Sequence, residues 1–282
     1  MPKTKKKLKV GDILGAPMEE EASMEILRRD ANVWHMFEHL SAGEQEQIIA
    51  FLRGRRGLSM MGEPIFRWIL DPDVHAGRLE KFLAAVLGEK VKICDVLPRP
   101  AGDLVREDAV IMDITAELAD GSVIVVELQK VRGEFTGEEG SCLVSDVVMR
   151  EYERTQKGSG QAFSFRDLKP VYLIVLMENS TKEFRAAAPA FLHRQQVTFD
   201  SGAKAVYLSR ILYISLDVFR ELGYQAEAGL NAWLTFFSAR DPATILQLAV
   251  SYPEFREIYL ELKQLRQNPA RLLGMYAEKR CN

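Results

Sequence analysis

No stretch of the sequence stays apolar for the roughly 20 residues a helix needs to cross a bilayer, so a helical membrane protein is not expected. The start is basic (Lys3, Lys5, Lys6, Lys7, Lys9), but no apolar run of the kind found in a secretory signal follows it; it reads as a solvated tail. Cysteine is scarce. Cys94, Cys142 and Cys281 are odd in number, scattered and without metal-site spacing, which excludes a disulfide framework and a cysteine zinc site and points to reduced thiols in a cytoplasmic protein. Excess positive charge is also lacking: 37 Lys and Arg face 40 Asp and Glu, for a net charge of −3. That argues against a chain coated in nucleic acid, although a local basic groove remains compatible with it. Internal repeats and extended low-complexity tracts are absent, so neither a solenoid nor a long disordered segment is expected.

What is present is ordinary for a globular protein: 47% apolar and 27% charged residues over 282 positions. That length is near the upper limit for one core, so one domain with terminal helical additions is expected.

The most informative stretch is Ala109–Lys130, AVIMDITAELADGSVIVVELQK. Two alternating segments flank Asp120-Gly121, as in a β-hairpin. Val110, Met112, Ile114, Ala116 and Leu118 form one apolar row, and Ile124, Val126 and Leu128 continue it. The opposite face carries Asp113, Thr115, Glu117, Val125, Glu127 and Gln129. A two-residue turn would send the two apolar rows to opposite faces, against the burial pattern. A three-residue turn, Ala119-Asp120-Gly121 with Gly121 left-handed, pairs Leu118 with Ser122 and sets Asp113 opposite Glu127. Two carboxylates facing each other across a sheet, about 5 Å apart, repel. Either they line a solvated face, or a divalent cation lies between them. Glu127 is unusual because SVIVVELQ has the apolar character of a central strand, where a carboxylate is seldom buried without a partner.

Elsewhere, Glu19–Glu38 and Gly43–Arg53 read as helices, as does Arg78–Leu87, with Asp71-Pro72-Asp73 breaking the chain before it and Gly88 stopping it. Val91–Leu97 reads as a first strand, and Arg132 to Gly140 as a polar loop able to contact substrate. Cys142–Gln156 reads as a helix on which Arg150 and Arg154 share one face, suited to solvation or to phosphate contact. Continuously apolar Pro170–Met177 suits a strand buried on both sides, and Val206–Leu216 another strand, with His193 and Arg194 in a surface turn between them. Four helices follow: Leu230–Phe237, Pro242–Ser251, Pro253–Arg266 and Pro269–Arg280. Trp233, Phe236 and Phe237 are expected to pack this bundle on the sheet rather than to stack on bases. The order strand, hairpin, helix, strand, helix, strand gives an α/β mixed sheet with helices on both faces.

Asp113 followed by Glu127-Leu128-Gln129 resembles the Asp…Glu-x-Lys/Gln signature of PD-(D/E)XK nucleases, and most closely the nuclease family transposases, or recombination-promoting nucleases. The phrases FRWILDPDVHAGRLEKFLAAVLGEKV, SDVVMREYERTQ, FRDLKPVYLIVLME, HRQQVTFDSG, NAWLTFFS and DPATILQLAVSYPEF extend the likeness from Phe66 to about Tyr259. The resemblance implies a restriction-endonuclease-like mixed sheet flanked by helices, with N-terminal and C-terminal helical additions. Residues 1–60 would be a basic tail and accessory helices, 61–222 the nuclease-like core and 223–282 a C-terminal helical region.

It further implies a metal-dependent DNA endonuclease hydrolysing phosphodiester bonds, with Mg²⁺ or Mn²⁺ held by Asp113, Glu127 and the Leu128 carbonyl. Gln129 would stand in the catalytic position where many relatives carry Lys, and Arg150 and Arg154 would bind DNA. Relatives often place a further acidic residue on the preceding helix. Here that position is Gly77, and Glu80, one turn on, is read either as a solvated helix glutamate or as the substitute metal ligand. The partners implied are DNA and no membrane, with the assembly open between monomer and homodimer. The alternative is a catalytically inactive, transposon-derived DNA-binding or structural remnant, favoured by Gly77, by Gln129 and by a chain that stops before similar proteins do.

Overall fold

The structure is a computed structural model that describes residues 8–97, 114–129, 135–159, 163–223 and 228–281. The chain divides into two units, one joining Met1–Ile69 with Tyr224–Asn282 and the other running from Leu70 to Gly223. The borders read from the sequence fell at 60/61 and 222/223, and set the two terminal stretches apart.

The first unit is helical. Its N-terminal part contains α1 (Val10–Leu14), α2 (Glu20–Arg28), α3 (Ala31–Glu38), α4 (Ala42–Leu52) and α5 (Glu63–Leu70, the last residue lying across the border), and its C-terminal part α10 (Leu230–Ser238), α11 (Pro242–Ser251), α12 (Pro253–Arg266) and α13 (Pro269–Cys281). The single helix expected over Glu19–Glu38 is two, because the Asp30 carboxylate accepts from the N–H groups of Asn32 and Val33 at 2.8 and 3.3 Å and starts a new helix there. Asp241 caps α11 in the same manner, with Pro242 in its first turn. The rings of Trp233, Phe236 and Phe237 pack on one another and on Phe66, Phe255 and Tyr259. These ring partners belong to the helical unit.

The second unit contains α6 (Pro72–Leu87), β1 (Ile93–Val96), β2 (Ile114–Leu118), β3 (Val123–Gln129), α7 (Gly137–Ser159), β4 (Val171–Met177), α8 (Lys182–Ala186), β5 (Leu192–Arg194), β6 (Ser209–Ser215) and α9 (Leu216–Glu221). Asp71-Pro72-Asp73, expected to break the chain, starts α6: the Asp71 carboxylate accepts from the Asp73 N–H at 2.9 Å and Pro72 takes the first turn. The break comes at His75, whose backbone leaves helical geometry, and Gly88 ends the helix in the left-handed region at φ 79°.

The sheet has the order β1-β2-β3-β4-β6-β5. β1, β2 and β3 are antiparallel, β3, β4 and β6 run parallel, and β5 returns antiparallel on β6. Parallel neighbours need a crossover between them, and α7 makes it from β3 to β4. In crossing, α7 lays Val144 and Val147 on Val123, Val125, Leu173, Val175, Ile211 and Tyr213. Hence every residue of β3 and β4 is buried. On the hairpin face for which solvation was one of the two readings, Thr115, Val125, Glu127 and Gln129 are buried and Glu117 is partly exposed. His193 and Arg194, expected in a surface turn, lie on β5. His193 faces Tyr213 across the ladder, and burial pulls its imidazole below the ordinary value.

Candidate active site

The site is built on the β2/β3 hairpin. The Leu118 N–H donates to the Ser122 carbonyl at 2.8 Å and Gly121 sits at φ 84°. The described pairs run Glu117 with Val123, Ala116 with Ile124, Thr115 with Val125 and Ile114 with Val126. This is the register of the three-residue turn. Asp113, which immediately precedes β2 and is the expected partner of Glu127, lies outside the described residues.

Glu127 occupies an inner strand, beside Val175 of β4, and is 1% exposed. Gln129, two residues on and so on the same face, is 6% exposed. Its backbone carbonyl accepts the Glu178 N–H at 2.8 Å, which prolongs the β3–β4 ladder past the end of β4. Backbone groups alternate sides along a strand. With Leu118 and Ser122 as a bonded pair, Leu128 directs its N–H and carbonyl to the β2 side. Glu127 and Gln129 thus lie at the carboxyl ends of the parallel strands, the end at which open α/β sheets gather their ligands.

The donors here are oxygen only: the Glu127 carboxylate, the Leu128 carbonyl and the Gln129 amide oxygen. That chemistry suits a hard cation such as Mg²⁺ or Mn²⁺ and not a thiolate- or imidazole-bound metal. Among the described residues, no three His, Cys, Asp or Glu side chains gather into a metal-holding group; Glu127 is the carboxylate that β3 itself brings to the site.

Glu80 is engaged elsewhere. Its carboxylate accepts the Ile93 N–H at 3.0 Å and pairs with Lys92 at 3.0 Å. Burial alone would raise its pKa, but those two partners outweigh it and hold the carboxylate below its ordinary range. Ile93 pairs with Leu118 beside the hairpin turn, whereas Glu127 lies beyond the Val126–Ile114 pair. Four residues of strand, about 13 Å, separate those two pairs. A Cβ added at Gly77 would meet nothing within 4 Å.

The two arginines of α7 are both ion-paired. Arg150 bonds Asp146 at 2.8 and 3.3 Å on the exposed side of the helix. Arg154 grips Glu151, which is 7% exposed, through Nε at 2.9 Å and a terminal nitrogen at 3.1 Å, and reaches Glu117 of β2 with the other. The Glu151 bond, with a smaller part from Glu117, raises the Arg154 pKa against the opposing effect of burial.

Of the substrate loop expected from Arg132 to Gly140, residues 132–134 lie outside the described residues, Phe135 is buried, and from Gly137 on the chain is already α7. Gly140 is needed there: a Cβ at this position would collide with the Tyr213 hydroxyl.

Sequence reasoning missed the groups that hold the end of β4, namely Ser180, Asp217 and Arg220. Their signal was faint, a Ser-Thr pair after an apolar strand and a short acidic-basic helix after the next one.

A mixed sheet whose antiparallel hairpin runs into parallel strands, with helices flanking it and an acidic residue buried on the inner strand, is a restriction-endonuclease-like nuclease fold. The sequence matches the PD-(D/E)XK nuclease family transposase over residues 65–280, and the chain belongs to that family, which implies a function of nuclease or transposase type. No curated protein and no solved structure matches the chain.

Proposed function

We propose that this chain is a divalent-metal-dependent DNA endonuclease of transposase or recombination-promoting type, with Asp113, Glu127 and the Leu128 carbonyl as ligands to Mg²⁺ or Mn²⁺. One observation carries the reading: Glu127 is a carboxylate 1% exposed on an inner strand. Burying an ionised carboxylate is strongly unfavourable unless a compensating charge or hydrogen bonds accompany it, and a bound divalent cation is one such charge. Glu80, committed to Lys92 and the Ile93 N–H, is left out of the proposed ligand set.

A cation at this position would polarise the scissile phosphate and lower the pKa of a bound water. The protein's own residues orient the reactants. Glu127 is held by its strand, so its carboxylate is fixed in direction before DNA arrives. The Gln129 amide can hold a water by hydrogen bonding, but unlike lysine it brings no positive charge to the phosphate. Arg150, on the exposed side of α7, supplies a cation for the DNA backbone once it exchanges Asp146 for phosphate.

Supercoiled plasmid with Mg²⁺ or Mn²⁺, with and without chelator, tests the reading. Wild-type protein should nick the plasmid and chelator should stop it, while Asp113→Ala and Glu127→Ala should abolish nicking yet retain DNA binding. Gln129→Lys should raise the rate. A second reading, an inactive DNA-binding remnant, draws on Gln129 and on the engagement of Glu80. It would be upheld by wild-type and Gln129→Lys proteins that bind DNA and neither bind metal nor cut.

A further inference from the structure

At the carboxyl end of β4, the loop 178–181 is held from one side by α9. The Asp217 carboxylate accepts the Ser180 N–H at 3.1 Å and the Ser180 hydroxyl at 2.5 Å. Arg220 donates to the Glu178 carbonyl at 3.0 Å. Arg185 of α8 donates to Asp217 at 2.7 Å and also pairs with Glu221. Asp217 is 9% exposed, buried for an aspartate, and Thr181 beside it is buried as well. The same loop places its Glu178 N–H on the Gln129 carbonyl.

From α9 to the site the chain of bonds is therefore unbroken: Asp217 to Ser180, Arg220 to Glu178, and Glu178 to Gln129. A surface loop has no need of a buried carboxylate and an arginine directed at its backbone. A strand end that must keep two side chains within a fraction of an ångström of a working geometry does, because groups supporting a ligand residue control its alignment. We infer that Asp217 and Arg220 are positioning residues, which clamp the β4–α8 loop and thereby fix Gln129 and Glu127 for the bound cation. The inference rests on the nuclease reading above.

Three measurements on the full chain test it: amide hydrogen exchange of the segment 171–181, calorimetric titration with Mg²⁺, and plasmid nicking at varied DNA concentration. Asp217→Ala should raise exchange at the Glu178 and Ser180 amides at least about tenfold while the amides of β3 and β6 stay protected. It should weaken Mg²⁺ binding about tenfold or more, the usual effect of removing a supporting group, and leave the DNA concentration for half-maximal rate unchanged. Asp217→Asn, which keeps an acceptor for the Ser180 N–H, should recover most of the protection and of the Mg²⁺ affinity. Should Asp217→Ala fail to fold, Arg220→Gln removes only the Glu178 carbonyl contact and should shift exchange and Mg²⁺ affinity in the same direction.

A loop that stays protected in Asp217→Ala, or one that opens without any change in Mg²⁺ affinity, would overturn the positioning role while leaving the nuclease reading intact. Wild-type protein that neither binds Mg²⁺ nor cuts DNA would instead overturn the nuclease reading, and the positioning role with it.

Discussion

Arg150 and Arg154 stand one turn apart on α7 and serve different ends. Arg154 pairs with a nearly buried glutamate on its own helix and with Glu117 on β2, so it ties the helix to the hairpin. Breaking a buried pair by removing one partner is strongly destabilising, but the Arg154 side chain is 46% exposed. Arg154→Ala should accordingly lower unfolding stability by about 1–2 kcal/mol. Arg150→Ala, which removes an i,i+4 surface pair, should stay within about 0.5 kcal/mol of wild type. Urea titration of the two variants checks both values. In DNA-binding assays Arg150→Ala should reduce affinity and lower the salt slope by about one. Spacing alone could not separate the two arginines: Glu151 and Glu117 are 34 residues apart in the sequence, and only the packing of α7 on the sheet brings both to Arg154.

Asp217 gives a prediction in pH. Burial pushes its pKa up, but the hydrogen bonds from Ser180, the Val218 N–H and Arg185 outweigh that and leave the carboxylate below its ordinary value. A folded pKa below the unfolded one means that the unfolded chain binds the proton first. The stabilisation is thus complete above the ordinary aspartate pKa of about 3.9 and is lost as pH falls through the lower folded value. Urea midpoints measured from neutral pH into that range should fall more steeply for wild type than for Asp217→Asn, with the two curves converging at the acid end.

At the scale of elements, the hairpin was the most legible part of the chain. Its alternation and its Asp-Gly turn dictated a single register, and the described pairs have it. Gly121 is the hinge of that register: it lies at φ 84°, and a Cβ there would come 3.1 Å from Lys169 Cγ. Gly121→Ala should therefore cost about 1–2 kcal/mol, from left-handed backbone strain together with the displaced lysine, read as a lower midpoint in chemical denaturation. Gly77 is the opposite case, a helical glycine in open space. Gly77→Glu should fold and gain about 0.5–1 kcal/mol in helix stability.

The C-terminal helices and β4 were legible for equally local reasons, an Asp-Pro start at α11, a Pro at the head of α12 and of α13, and an unbroken apolar run. What escaped was short or decided by distant contacts. β5 has three residues and α8 five, too few for any period to show. The first turn of α7, Gly137-Glu138-Glu139-Gly140, reads as loop because glycine disfavours helix, yet it starts beside the buried Phe135 and packs its second glycine on Tyr213. The hairpin's polar face left a solvated surface and a cation-bridged pair both open, because alternation reports polarity and not cover. Only the β3–α7–β4 crossover determines that this face is buried.

For the whole molecule, the central feature is the buried acidic position on β3. Among the described residues no helix is long and apolar enough to cross a membrane, and the sheet's interior is apolar apart from a few groups, of which Glu127 is the most deeply buried carboxylate. A cation bound there would stabilise the folded chain by mass action in proportion to its occupancy, and Glu127→Gln, nearly identical in shape, would remove the charge without leaving a cavity. The most direct measurement is a Mn²⁺ titration followed by the loss of the free-ion electron paramagnetic resonance signal, run on wild type and on Glu127→Gln. The account predicts saturable Mn²⁺ binding by wild type, displaced by Mg²⁺, and loss of that site in a Glu127→Gln chain that remains folded. Equal Mn²⁺ binding by both proteins, or none by wild type, would contradict it.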